Sequence, residues 1–203
     1  MVFEPKNNSN WTLEEQVKLL LDERAIRDVI YRECRAKNRG DTALKSTCYF
    51  PDAVDHHEPF FVGNPYAAAK AGGNPLAFVG EMIQYVALQI LIDIDGDMAR
   101  VESYVQANKI VHQRSETGNT ILRVAGNRHL DRFERRDGEW RIANRQFIPE
   151  WGFFQEVPPL REPISIYGIG TDAATIIHDG NLSAVRHSMD ASDPSYHPTY
   201  LFE

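Results

Sequence analysis

Cysteine is almost missing from this chain, with Cys34 and Cys48 the two among 203 residues. Two cysteines build no disulfide framework, and no Cys/His cluster has the spacing of zinc ligands, so both are expected as reduced thiols. Asp55, His56 and His57 come nearest to a metal set, but no further ligand is placed by sequence and no metal is expected. No apolar run reaches membrane-spanning length. The N-terminal MVFEPKNNSNWTLEEQ also lacks the basic and apolar segments of a secretory signal. The expectation is a cytoplasmic protein with no membrane partner. A basic cluster is missing too. With a formal net charge of −7, the chain has no positive field to gather DNA or RNA, which excludes nucleic acid as a partner.

What is present suits one globular domain, since 42% of the residues are hydrophobic and 25% charged. The most informative stretch is Gly126 to Trp151, two runs joined by Arg136-Asp137-Gly138-Glu139. An Asp-Gly pair between alternating residues predicts a β-hairpin. Alternation in its second arm puts Trp140, Ile142 and Asn144 on one face and Arg141, Ala143, Arg145 and Phe147 on the other. On that reading a Trp-Ile core lies on one side and Arg145 points from the other toward a cavity.

Before the hairpin, residues 1–10 read as a loose arm, and Thr12 with Glu15 forms a capping box that starts a helix. Leu13, Val17, Leu20, Leu21, Ala25, Ile26, Val29 and Ile30 then recur at helical spacing until Asn38-Arg39-Gly40-Asp41, as one long helix or two joined near Asp22. Tyr31, Cys34 and Asn38 are expected to share a face near its end. A short helix from Asp41 to Tyr49, an extended segment from Ala53 to Phe61, a breaker-rich region and a helix from about Pro75 to Gln84 follow. Next come a strand from Tyr85 to Ile94, with Val86, Leu88, Ile90, Ile92 and Ile94 on one apolar face, the turn Asp95-Gly96-Asp97, and a strand from Ala99 to Val111. A loop at Ser115 to Asn119 precedes the hairpin. The last fifty residues read as an extended tail with one short helix at Leu182 to His187. Two hairpins after a helical half predict an α+β fold with a curved antiparallel sheet and helices on one face.

The order of these elements, with ERAIRDVIYRECRAKNRGD, PDAVDHHEPF, DIDGDMARVESY, HLDRFERRDGEWRIANR and DASDPSY, resembles the SnoaL-like domains of the nuclear transport factor 2-like superfamily. The resemblance covers nearly the whole chain. It implies a cone-shaped α+β barrel over residues 11–154, with a deep apolar pocket, and an extended tail over 155–203 that packs on the barrel or on a neighbouring subunit. It also implies a homodimer or homotrimer and no cofactor. Relatives include scytalone dehydratase, bile-acid 7α-dehydratase, hexachlorocyclohexane dehydrochlorinase, ketosteroid isomerase and polyketide cyclases, which share proton abstraction or elimination on hydrophobic substrates.

The dehydratase-like pattern pairs an Asp at the end of the first helix with a His at the start of the central strand. Here those places fall on Asn38 and Tyr85, and a helix Tyr falls on Glu33; the strand arginine matches at Arg145. The expected catalytic set is therefore Arg145, Tyr85, His57, Asn38 and Glu33. Tyr85 would be an acid or oxyanion donor because a phenol is neutral at pH 7. Arg145 would hold developing negative charge, and His57 or Glu33 would move the proton. Tyr31, Cys34, Gln89, His129, Tyr104 and Trp151 are expected to line the substrate site. Plainer readings stand beside these: Glu33, between Arg32 and Arg35, as an exposed helix charge; Arg145 as a salt-bridged residue of an edge strand; Cys34 as a small buried hydrophobe; Tyr31 and Tyr85 as core tyrosines. The expected reaction is elimination of water from a hydrophobic oxygenated aromatic or polycyclic small molecule, extended to formaldehyde release through a quinone methide. An isomerase or cyclase in the same pocket, or a non-catalytic binder of hydrophobic ligands, is the alternative.

Overall fold

The computed structural model describes residues 9–58, 61–70, 80–111, 120–157 and 196. The expected loop at Ser115 to Asn119, the helix at Leu182 to His187 and nearly all of the tail lie outside these residues.

Helix α1 runs unbroken from Leu13 to Arg39. Thr12 accepts from the Glu15 amide while the Glu15 carboxylate accepts from the Thr12 amide, so the expected capping box is formed. At the other end Gly40 takes the left-handed conformation at φ 61° and closes the helix, a position that suits a residue without a Cβ. Its buried face is Asp22, Ile26, Val29, Ile30, Glu33, Cys34, Ala36 and Lys37, a helical stripe that turns from apolar to charged. The early leucines of the expected stripe do not join it. Leu13, Val17, Leu20 and Leu21 are exposed.

The short helix α2 spans Thr42–Ser46. Strands β1 (Tyr49–His57) and β2 (Phe61–Gly63) lead into α3 (Pro65–Lys70). Strands β3 (Gly80–Asp95), β4 (Met98–Val111), β5 (Thr120–Arg136) and β6 (Glu139–Val157) complete one open six-stranded sheet, in the order β2-β1-β6-β5-β4-β3. The fold is the expected α+β arrangement of a curved sheet against an N-terminal helix. Two details differ from expectation: the sheet is open, and β1 runs parallel to β6 while every other pair is antiparallel. Residues 80–84 belong to β3, where a helix was expected.

Both expected hairpins form. Arg136 pairs with Glu139 across Asp137 and Gly138, whose φ values of 52° and 83° twist the two-residue turn to match the strands. Between the long arms, β-bulges change which side chains face inward. On β6, Arg132 pairs with Asn144 but Phe133 pairs with Ile142, so Ala143 is an extra residue. Alternation is reset there. Trp140, Ile142, Arg145 and Phe147 are all buried, which corrects the expectation that Arg145 and the Trp-Ile pair take opposite faces. A second bulge between Ala87 and Ile90 splits the expected apolar face of β3. Val86 and Leu88 end up exposed while Ile90 is buried.

The core between α1 and the sheet comprises Ile26, Val29, Ile30, Tyr49, Val101, Phe133, Trp140 and Ile142 among others. Asp22 fastens it from the helix, accepting from the Trp140 indole at 2.9 Å and from Arg135 at 3.1 Å.

Candidate functional site

Beyond the apolar core, toward the C-terminal end of α1, the interior becomes charged. Glu33 is 1% exposed, which rules out the plain reading of it as a surface charge. Arg145 grips Asp131 through two bonds of 2.7 Å, a bidentate pairing that the planar guanidinium favours. Its remaining nitrogen donates to Glu33 at 3.0 Å and to the Tyr49 hydroxyl at 2.9 Å, and that hydroxyl donates to Glu33 at 2.8 Å. Lys37, one helical turn on, adds an ion pair with Glu33 at 2.8 Å. Burial would raise the Glu33 carboxyl, but the Lys37 ammonium and the Arg145 guanidinium outweigh it and hold it well below the usual range. Glu33 is therefore an ionised, committed acceptor.

Above this network lies a small cavity of about 40 Å³, lined by Lys37, His57, Tyr85, Val105, Ala107, Lys109, Arg123, Ala125, Asn127, His129 and Phe147. Arg123, Ala125, Asn127 and Phe147 also line an adjoining open groove of about 300 Å³, so the chamber continues outward past the β5–β6 arms. Strand register places the wall in rungs. Ser103, His129 and Phe147 form one, and Tyr85, Ala107, Ala125 and Gly152 another.

His57 is the inward member of the His56-His57 pair. Its ring stacks on Phe147 at 3.8 Å, and its Nδ1 lies 3.6 Å from the Asp55 carboxylate, two residues back on the same face of β1. Burial pushes the imidazole pKa down, against the pull of Asp55, so His57 is neutral at pH 7. His129 is driven well below its ordinary value by burial and then by Arg145 and Lys37. Tyr85 is pushed up by burial and stays a neutral phenol, its ring between the Lys37 ammonium at 4.9 Å and the Lys109 ammonium at 5.1 Å.

The expected site residues divide sharply. His57, Tyr85 and His129 line the cavity. Asn38 sits behind Tyr85 and acts as a short strand partner: its amide donates to the Tyr85 carbonyl at 3.1 Å and accepts from the Tyr85 amide at 2.5 Å. Arg145 and Glu33 lie beneath the cavity and do not line it, because their polar atoms are spent on the network below. Cys34 is buried, and burial raises its thiol pKa to about 11, which leaves it an unreactive thiol. Three of the expected substrate contacts are corrected. Tyr31 is 50% exposed, as the face sharing Cys34 is set by the stripe from Ile26 to Lys37. Gln89 is exposed because it falls at the β3 bulge. Tyr104 faces away from the cavity, between the inward Ser103 and Val105, with Arg128 over its ring. Trp151 stands at the open groove, its indole folded over Gly126 where any Cβ would collide with it.

Sequence reading passed over Asp55 as a partner for His57, and Lys37, Lys109 and Arg123 as cavity residues. The signal was available for Lys109: a cation two residues beyond Ala107 and four beyond Val105, on the face those residues bury, breaks an otherwise apolar alternation. Among the described residues, no three His, Cys, Asp or Glu side chains converge in a way that would hold a metal ion. None of the described helices is long and apolar enough to cross a membrane.

No curated protein matches the sequence. Among solved structures, the chain is similar to the hexachlorocyclohexane dehydrochlorinase LinA-type3 from Novosphingobium barchaimii, with TM-score 0.60 and 16% identity over 71% of this chain and 99% of that one. A scytalone dehydratase-like protein from Novosphingobium aromaticivorans aligns with TM-score 0.58 and 16% identity, over 72% and 98% of the two chains. From the same organism, an NTF2-like protein with a cystatin-like fold gives TM-score 0.54 and 22% identity, over 71% and 90%. These likenesses establish the nuclear transport factor 2-like fold. A family model for the SnoaL-like domain matches residues 18–146, which span α1 through the Arg145 segment of β6, and on that match the chain belongs to the SnoaL-like family.

Proposed function

We propose that this protein is a cofactor-independent lyase that eliminates water from a hydrophobic, oxygenated aromatic or polycyclic molecule. The observation that carries the reading is that His57, with the Asp55 carboxylate 3.6 Å from its Nδ1, and Tyr85 line one cavity. The family's helix Asp and strand His are replaced by Asn38 and Tyr85. A second carboxylate–imidazole pair, on β1, supplies a neutral base held by its carboxylate. Asn38 then serves by fixing the backbone of Tyr85, the acid.

In this mechanism His57 takes a proton from the substrate carbon or phenol, the released electron pair forms the new double bond, and the C–O bond breaks. Tyr85 gives its proton to the departing hydroxide, so water leaves. His57 returns the proton to the Tyr85 phenolate and the site is restored. For a para-hydroxybenzylic alcohol the first product is a quinone methide. If it carries a neighbouring CH2OH, removal of that hydroxyl proton expels formaldehyde, and the C–C electrons restore the aromatic phenolate. The groove past Trp151 supplies the room that the 40 Å³ inner chamber lacks for such a molecule.

The test is turnover of a panel of hydroxylated diaryl, steroid and polyketide-like alcohols, followed by new absorbance and by released formaldehyde. Turnover should fall tenfold or more in both His57→Gln and Tyr85→Phe, each decade being about 1.4 kcal/mol of barrier. Asp55→Asn should lower kcat through its effect on the His57 tautomer. Equal turnover in His57→Gln and the parent sinks the site assignment. Binding of panel compounds without turnover would favour the ligand-binding reading. We also infer a homo-oligomer, a dimer or trimer, supported by the exposed stripe Leu13, Val17, Leu20 and Leu21. Light scattering that returns the mass of a monomer would remove it.

A further inference from the structure

The charged stripe of α1 ends on Lys37, a lysine that is 6% exposed and yet lines the cavity. Burial by itself disfavours the charged form of an ammonium. Here the Glu33 carboxylate, one turn back at 2.8 Å, outweighs burial and raises the Lys37 pKa, so the cation persists through the neutral range. Glu33 is in turn fixed by Arg145 at 3.0 Å and by the Tyr49 hydroxyl at 2.8 Å, which gives the ammonium a set place. That place is over the Tyr85 ring, 4.9 Å from its centroid and inside the range of a cation–π contact. The ring is fixed as well, because Asn38, the residue after Lys37, holds the Tyr85 backbone through both its carbonyl and its amide. One turn of helix therefore sets both the phenol and the cation beside it.

We infer that Lys37 is a positioning residue for Tyr85, its ammonium held over the ring so that the phenolate left by proton transfer meets a fixed positive charge. The inference deepens the proposed lyase and rests on that reading for the reaction. When Tyr85 gives its proton to the departing hydroxide, the O–H electron pair stays on the phenolate and spreads into the ring, whose face then attracts a cation more strongly than the neutral phenol did. An interaction that is stronger in the transition state than before it lowers the barrier. The titratable and charged groups facing Tyr85 are Lys37, Glu33 and Cys34 from α1, Lys109 from β4 and Arg123 from β5. Burial opposes the phenolate most; among the charges Lys37 favours it most strongly, ahead of the opposing Glu33. Lys109 stands 5.1 Å from the same ring centroid, but burial brings its ammonium down to a pKa of about 8, so it has lost its charge where a phenol ionises. Lys37 is the cation that stays.

The first test needs no turnover. The full chain, with difluorotyrosine at its eight tyrosines, would be titrated by fluorine NMR, since fluorination brings the phenol pKa down into a range where the fold survives, and Tyr85→Phe identifies the Tyr85 resonance. Lys37→Gln keeps a donor for Glu33 and removes the charge; in it the Tyr85 pKa should rise by about one unit or more. Lys37→Arg keeps a cation and should hold the titration close to the parent's, an order that a merely structural lysine would not produce. Should Lys37→Gln not fold, Lys37→Met, which leaves no polar side-chain atom in the interior, takes its place. An unmoved Tyr85 titration in the neutral variant, or an equal rise in Lys37→Arg, overturns the inference. Turnover gives a second reading. For a panel alcohol that reacts, Lys37→Gln should lower kcat about tenfold, yet change by less than about threefold the elimination of acetate from the acetylated substrate, a leaving group that takes no proton. Equal loss with both leaving groups also overturns it. Absence of turnover in the parent would remove the lyase reading, and the fluorine titration would still decide the place of Lys37.

Discussion

Two groups of buried charge sit a few residues apart in this interior, and they are built differently. Around Arg145 the signs alternate: Asp131 and Glu33 accept, Arg145, Lys37 and Tyr49 donate, and every bond closes within the chain. Around Lys109 and Arg123 the signs repeat, with Lys37 completing a cationic wall and neutral histidines and a neutral phenol for company. The first arrangement is one a fold uses to hold itself in register. The second gathers like charges along the wall of a cavity. Lys37 belongs to both, so the internal network sets where that cation of the cavity wall stands.

The sharpest way to break this contrast is Arg145→Ala. It strands the Asp131 carboxylate in the interior and leaves Glu33 to Lys37 and Tyr49 alone, and should cost about 3–5 kcal/mol, read as a lower urea midpoint. A variant within about 1 kcal/mol of the parent would mean that the deep network is not structural. A smaller effect is expected in acid. The folded-state pKa values of His57 and His129 lie below the ordinary 6.5, so the unfolded chain takes up protons first. Stability is complete above about pH 6.5 and declines below it by up to about 1.4 kcal/mol per pH unit for each histidine. Glu33, whose folded pKa is depressed, adds to the loss below about pH 4.5. Urea midpoints at pH 7.5, 6 and 5 would trace this slope, and a flat profile would contradict the burial of both rings. The smallest expected change is in Lys109→Met, within about 1 kcal/mol of the parent, because the like charge of Arg123 stands directly across the ladder and offsets part of what the ammonium contributes. A clear loss in the same titration would place Lys109 with the structural charges.

Much of the fold was legible because its signals are local. The Thr12–Glu15 box, the long 3.6-residue period of α1 and the Asp-Gly hairpins depend on neighbours a few residues apart. Over residues 80–84 the expected helix gave way to β3 for the opposite reason, since these residues pair with β4, an interaction 20 residues or more away in sequence, while 75–79 lie outside the described residues. In the site, His57, Tyr85 and His129 were legible from type and position. Tyr31, Gln89 and Tyr104 were not, since each depends on which way a helix stripe or a strand faces after a bulge. The partnership of Asp55 with His57 was readable from their i, i+2 spacing on one strand.

The sequence by itself determined the first helix, the two hairpin turns and the family, because periodicity, caps and turn chemistry act over short distances. Only the tertiary structure decided the roles of the charges. One extra residue at Ala143 turned Arg145 onto the same side as Trp140 and Ile142, above Asp131 and Glu33. The β4–β5 register then set Lys109 against Arg123. Alternation in a strand says that a residue faces one side or the other; which side, and across from what, is settled by bulges and by pairing with distant strands.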